Sequence, residues 1–204
     1  MEMVSSSPQS GIALIGHPGI SLALLVVVVS IAGLGVVVDV SHGSDRTTHD
    51  ILAATVRPVV ASHSNARALC DHPRNVTDET IRAIAQTGGL VCVVAVPSFV
   101  SAGDPTVARW VDHVEHIVSV AGIDHVGVGT DFFHYGWEVG AAPGIAESDA
   151  GPREGYVRSE FTGMQSPADL PGLTAELRRR GFSEASLRQI YRDNFLRVLA
   201  AVEA

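Results

Sequence analysis

Two histidines, His42 and His63, each close an apolar run: Val36-Val37-Val38-Asp39-Val40-Ser41-His42 and Pro58-Val59-Val60-Ala61-Ser62-His63. A third run, His125-Val126-Gly127-Val128-Gly129-Thr130-Asp131, closes on a carboxylate. Neutral imidazoles and carboxylates brought to one place suit a divalent cation, most often zinc, which polarises a carbonyl and lowers the pKa of a bound water to about 7. A carboxylate beside that water serves as base or proton shuttle, and Asp131 is the candidate. Asp39, three residues before His42, is either a further ligand or a structural group within its strand. Arg74, in the loop after His63, offers a two-pronged donor for a substrate carboxylate. Each has a plainer use as well: a strand-end histidine can cap a helix or bond a backbone carbonyl, and Arg74 can be a surface residue.

The elements that must position these groups alternate. Ser44 to Ala54 has a polar cap, an acidic first turn and then apolar residues, the pattern of a short helix. Ser64 to Leu69 reads as a helical turn, and Thr77-Asp78-Glu79 starts a helix with Ile81, Ile84 and Ala85 on one face, ended by Gly88-Gly89. Leu90 to Val96 is an uninterrupted apolar strand. Asp104-Pro105 opens the clearest helix, with Val107, Trp110, Val111, Val114, Ile117, Val118 and Ala121 on one stripe. On that helix His113-x-x-His116 has ligand spacing, but His116 lies opposite the stripe and His113 at its flank, so both are expected on a solvated face. Phe132 to Thr162 reads as a long loop of the kind that covers active sites, and two helices, Pro171 to Arg180 and Ser183 to Val202, close the chain. Strands near residues 36, 58, 90 and 125 separated by helices imply a parallel sheet with right-handed crossovers, in which strand carboxyl ends share one edge. Four such units are half of an eight-stranded barrel or a small open sheet.

The chain has 204 residues, of which 46% are hydrophobic, enough for one domain. A net charge of -8 with 14 Lys and Arg argues against nucleic acid as a partner. The one basic cluster, Arg178-Arg179-Arg180, fits the last turn of a helix, where cations suit the dipole. Cys70 and Cys92 form no disulfide framework, which fits a reducing, cytoplasmic setting. Ile20 to Val38 is nineteen residues without a charge, long enough to cross a bilayer. Gly33 and Gly35 interrupt it, no Lys or Arg precedes it, and its last third is needed as the strand leading to His42. A buried helix followed by a buried strand is therefore expected, with membrane association as the alternative.

Val38-Asp39-Val40-Ser41-His42, then Pro58 to Leu69, then His72-Pro73-Arg74-Asn75 resemble the renal or membrane dipeptidase family of metallopeptidases, peptidase family M19. The histidines stand 21 residues apart and Arg74 follows His63 by 11, as in that family. Val120 to Phe132 and Asn194-Phe195-Leu196-Arg197-Val198 are similar to its later segments. The resemblance implies a (β/α)8 barrel of the amidohydrolase kind and a two-zinc site. It makes His42 and His63 ligands of one zinc, Arg74 the binder of the dipeptide carboxylate, and Asp131 the catalytic acid/base. The implied reaction is dipeptide hydrolysis by a metal-activated water.

Two departures qualify this. The family's Asp-Phe-Asp-Gly stands here as Asp131-Phe132-Phe133-His134. The family's upstream His-x-Asp pair and bridging glutamate have no counterpart, since His17 is the only histidine and Glu2 the only glutamate before Asp39. The expectation is residues 1–34 as an apolar or irregular leader and 35–204 as the second half of a dipeptidase barrel. Such a half holds at most one zinc, weakly, with impaired or no activity. The alternative is a non-catalytic half-barrel that pairs with itself, as a homodimer, or with a separate N-terminal half.

Overall fold

A computed structural model describes residues 22–132 and 163–203. Four short strands, β1 (Val38–Asp39), β2 (Val59–Ala61), β3 (Leu90–Val93) and β4 (Val126–Val128), form one parallel sheet in the order β1-β2-β3-β4. Between them run α2 (Asp45–Ala54), α3 (Asp78–Gln86), the one-turn α4 (Pro97–Val100) and α5 (Val107–Ala121), after the leading α1 (Leu22–Gly33). A 3-10 turn at Ile123–His125 leads into β4. Past residue 162, α6 (Leu170–Arg179), α7 (Glu184–Arg188) and α8 (Asn194–Glu203) close the chain, with a π-helical segment at Gln189–Asp193 joining the last two.

The caps explain the boundaries. The Ser44 and Thr77 hydroxyls accept from the backbone N–H groups of Thr47 and Thr80, each satisfying an otherwise orphaned donor. Thr106 does the same for α5, which therefore begins just beyond Asp104-Pro105. The one-turn α4 opens on Pro97, whose fixed φ and missing N–H suit a first helical position, with no side-chain cap before it.

Alternation along the strands builds two apolar layers. Val59, Ala61, Val91, Val93 and Val126 pack against Ile51, Ile81, Ile84, Trp110, Val114, Ile117 and Leu177 of the helices. Val60, Leu90 and Cys92 face the other way and meet Val198 and Val202 of α8. On that second face a Cβ at Gly129 would lie 1.8 Å from the Ser62 carbonyl oxygen, so only glycine lets the end of β4 approach the end of β2 across β3. The sheet is curled, as a barrel wall is.

Arg178, Arg179 and Arg180 stand at the end of α6, as the sequence indicates, and each holds a carboxylate: Glu184, Glu176, and Asp112 with Glu115 respectively. Among the described residues no helix is long and apolar enough to cross a membrane. The expected loop from Phe132 to Thr162 lies outside the described residues, apart from Phe132 itself.

Candidate metal and carboxylate site

The two strand-end histidines converge. Their rings meet edge to face with centroids 4.9 Å apart. His42 sits in a turn after β1 with φ of 72°, and Asp131, just past β4, has φ of 53°. These are the two non-glycine residues with left-handed backbone among the described residues. That conformation costs free energy, histidine and aspartate tolerate it better than most residues, and such positions concentrate at functional sites.

The charges around His42 show what the sheet edge gathers. Although His42 is exposed, desolvation by its neighbours pushes its imidazole below the ordinary value, the Arg74 and His63 charges push the same way, and Asp131 and Asp39 pull upward. Arg74, His63, Asp131 and Asp39, all singled out from the sequence, are thus near enough to His42 for their charges to act on it.

Asp39 is engaged in joining strands. Its Oδ1 accepts from the backbone N–H groups of Ser41 at 2.9 Å and Ser62 at 3.1 Å, and its Oδ2 accepts from the Ser62 hydroxyl at 2.5 Å. Burial works to raise its carboxyl, yet the hydrogen bonds from Ser62 and Ser41 hold it below the usual carboxylate value. The Ser62 hydroxyl also lies 2.7 Å from His63 Nδ1, and the His63 backbone N–H donates to the Ser41 hydroxyl at 3.0 Å.

Arg74 is held on a built support. Its guanidinium stacks over Phe99, 5.3 Å from the ring centroid, and the His72 ring packs on the same Phe99 at 4.3 Å. Its backbone N–H donates to His72 Nδ1 at 3.2 Å. Arg74 Nε and Nη2 are buried and have no hydrogen-bond partner among the described residues. Two donors of a fork left open in a desolvated place suit an incoming carboxylate.

The frame of that loop is a pair of fully buried asparagines, Asn65 and Asn75, which lie within the segments that carry the family resemblance but to which the sequence alone assigns no role. Asn65 bonds both the N–H and the carbonyl of Val94 through its side chain. Asn75 Nδ2 donates to the carbonyls of Cys70 at 2.9 Å and Phe99 at 2.8 Å. Arg67 adds a two-pronged bond to Asp45 at 2.6 and 2.7 Å and a third to the Asn75 carbonyl.

His113 corrects an expectation. It is 1% exposed rather than solvated: Nδ1 accepts from the Ala66 N–H at 3.2 Å and Nε2 donates to the Val100 carbonyl at 3.0 Å. The flank of the α5 stripe is covered by the turn after β2 and by α4, so the ring is a structural bridge. His116 bonds Asp78 at 2.7 Å. Neither joins the sheet-edge group.

The fit to a metal is partial. His42 and His63 offer two imidazoles at one place, but among the described residues no group of three or more His, Cys, Asp or Glu side chains is arranged to hold a metal ion.

Residues 20–141 and 156–204 match the profile of the family Membrane dipeptidase (Peptidase family M19). The chain belongs to that family. It is 37% identical over 172 residues to Dipeptidase ataJ of Aspergillus terreus, covering 83% of this chain and 37% of the relative. It is 30% identical over 187 residues to Dipeptidase verJ of Clonostachys rogersoniana, covering 92% and 42%. Among solved structures, the metallo peptidase from Rhodobacter sphaeroides, liganded with a phosphinate mimic of the dipeptide L-Ala-D-Ala, superposes with a TM-score of 0.74 at 25% identity. That match covers 90% of this chain and 47% of the other. This dipeptidase-family chain therefore spans about two fifths of the length of the curated relatives it matches, and its four strands correspond to part of a barrel.

Proposed function

We propose that this chain contributes one metal-binding side and the carboxylate-binding side of a zinc-dependent dipeptidase site. The observation that carries the reading is the meeting of His42 and His63 at the sheet edge where Arg74 and Asp131 also act. His42 and His63 would hold the zinc, which when bound supplies Lewis acidity toward a peptide carbonyl and a water. Arg74 receives the carboxylate of the dipeptide on its unpartnered Nε and Nη2, while Phe99 fixes the plane of the guanidinium. Asp131 takes the proton from the attacking water and delivers it to the departing amine. With two imidazoles gathered where a zinc site ordinarily uses three or four protein ligands, the chain alone holds zinc weakly and turns over slowly. A second reading, a half-barrel completed by another copy, is favoured by β1 and β4, which each have one ladder neighbour among the described residues, and by Leu34 and Val36, which are 80% and 50% exposed beside β1.

The test is calorimetric zinc binding and dipeptide hydrolysis on the purified chain of measured solution mass. The variants His42→Ala with His63→Ala, and Arg74→Ala, are compared with the wild type. Zinc uptake and any turnover should vanish in the double variant. In Arg74→Ala the apparent KM for dipeptides should rise about ten- to a hundredfold, the loss of a charge-assisted pair of bonds. Equal zinc uptake in wild type and double variant would sink the metal assignment.

A further inference from the structure

The bonds between the ends of β1 and β2 have a direction that the two histidines alone do not reveal. Asp39 is an acceptor in each of its bonds, from the Ser41 and Ser62 backbone N–H groups and from the serine side chains, and the single proton of the Ser62 hydroxyl goes to Asp39 Oδ2 at 2.5 Å. The next oxygen within reach of that hydroxyl, Ser41 Oγ, is farther away at 3.5 Å. Having spent its proton, the Ser62 oxygen can only accept in its 2.7 Å contact with His63 Nδ1. The proton of a neutral His63 ring must therefore reside on Nδ1, which leaves the lone pair on Nε2.

We infer that Asp39 and Ser62 form a carboxylate–hydroxyl relay that fixes His63 in its Nδ1-protonated tautomer, so that Nε2 is presented as a metal ligand. Both are positioning residues, acting through His63 rather than on substrate. Ligating histidines are ordinarily oriented by an acceptor at the second ring nitrogen, and here that acceptor is a serine itself polarised by a carboxylate on the neighbouring strand. The role assigned to Nε2 rests on the metal reading proposed above; the direction of the relay does not.

Asp39→Asn makes a specific reversal. The amide oxygen keeps the two backbone N–H donors that Oδ1 now accepts, which turns the amide nitrogen toward Ser62. That nitrogen donates to the hydroxyl, the hydroxyl turns its own proton to His63 Nδ1, and the ring proton is driven to Nε2. Removing a hydrogen-bonding group would loosen the ring, whereas this substitution inverts it.

The decisive measurement is the nitrogen chemical shifts of the His63 ring in the metal-free, 15N-labelled full chain at a pH of about 8, above the ordinary imidazole range. The resonance is assigned by its loss in His63→Gln. Wild type should show a protonated, pyrrole-type Nδ1 and a pyridine-type Nε2. Asp39→Asn should exchange the two, and Ser62→Ala should lose the fixed preference. A wild-type ring protonated on Nε2 overturns the relay, as does a folded Asp39→Asn chain with the wild-type pattern. If Asp39→Asn fails to fold, the wild-type and Ser62→Ala spectra decide alone. In chelator competition, Asp39→Asn should bind zinc about ten- to a hundredfold more weakly than wild type. Wild-type chain with Nδ1 protonated but no zinc uptake would overturn the metal role while leaving the hydrogen-bond direction in place.

Discussion

Single residues at this sheet edge do more than one job, and their types alone do not say which. The meeting of His42 and His63 is legible because strand-end polar residues after apolar runs stand out, and because their spacing resembles a known family. Asp39, read as ligand or structural group, is the acceptor that ties β1 to β2. His113 was illegible for a physical reason: periodicity along α5 shows which positions face the core, not that Ala66 and Val100, brought in by distant segments, cover its flank. Its chemistry carries a prediction. Burial pushes the His113 imidazole below its ordinary value, outweighing the opposing pull of the Val100 carbonyl and Asp112, while His116 also lowers it. The unfolded chain then takes up this proton first as the pH falls, so the stability His113 contributes is full above about pH 6.5 and declines below it. Urea unfolding at descending pH should show this decline in wild type and a shallower one in His113→Gln. Parallel curves would rule out His113 as its source.

At the level of elements, caps were readable and ladder ends were not. Ser44 and Thr77 stand where hydroxyls begin helices, and the structure uses them so. The apolar runs Val36 to His42 and Leu90 to Val96 overstate their strands, which are Val38–Asp39 and Leu90–Val93. Beyond Val93 the backbone is bonded by the Asn65 side chain and by the Thr130 carbonyl, so apolar character persists where the regular ladder has stopped. Curvature was equally hidden, because it depends on Gly129 meeting Ser62 from another strand. Gly129→Ala should therefore force the end of β4 away from β2 and destabilise the fold by about 1–3 kcal/mol, the usual scale of overpacking. Chemical denaturation measures this, and a change below about 0.5 kcal/mol would mean that the two ends separate freely.

Across the whole molecule, the order of four strand–helix units followed from alternation of apolar runs and capped amphipathic segments. How the last helices grip the sheet did not. Asn194, at the start of α8 beyond the π-helical segment, is buried and donates to the carbonyls of Ile123 and Val126, and Arg197 reaches those of Gly88 and Asp124. These contacts seat Val198 and Val202 over the face that holds Val60, Leu90 and Cys92. The Cys92 thiol there is pushed up to about 12 by burial and by the nearby Asp39 charge. Thiol reagents attack the thiolate, so Cys92 is silent while the sheet is closed and becomes reactive when it opens. The chain thereby carries its own clock for breathing of the barrel wall. Mass-spectrometric labelling of Cys92 should be slow in buffer and accelerate with urea in step with unfolding. Labelling in buffer as fast as that of a free thiol would show that α8 leaves this face uncovered.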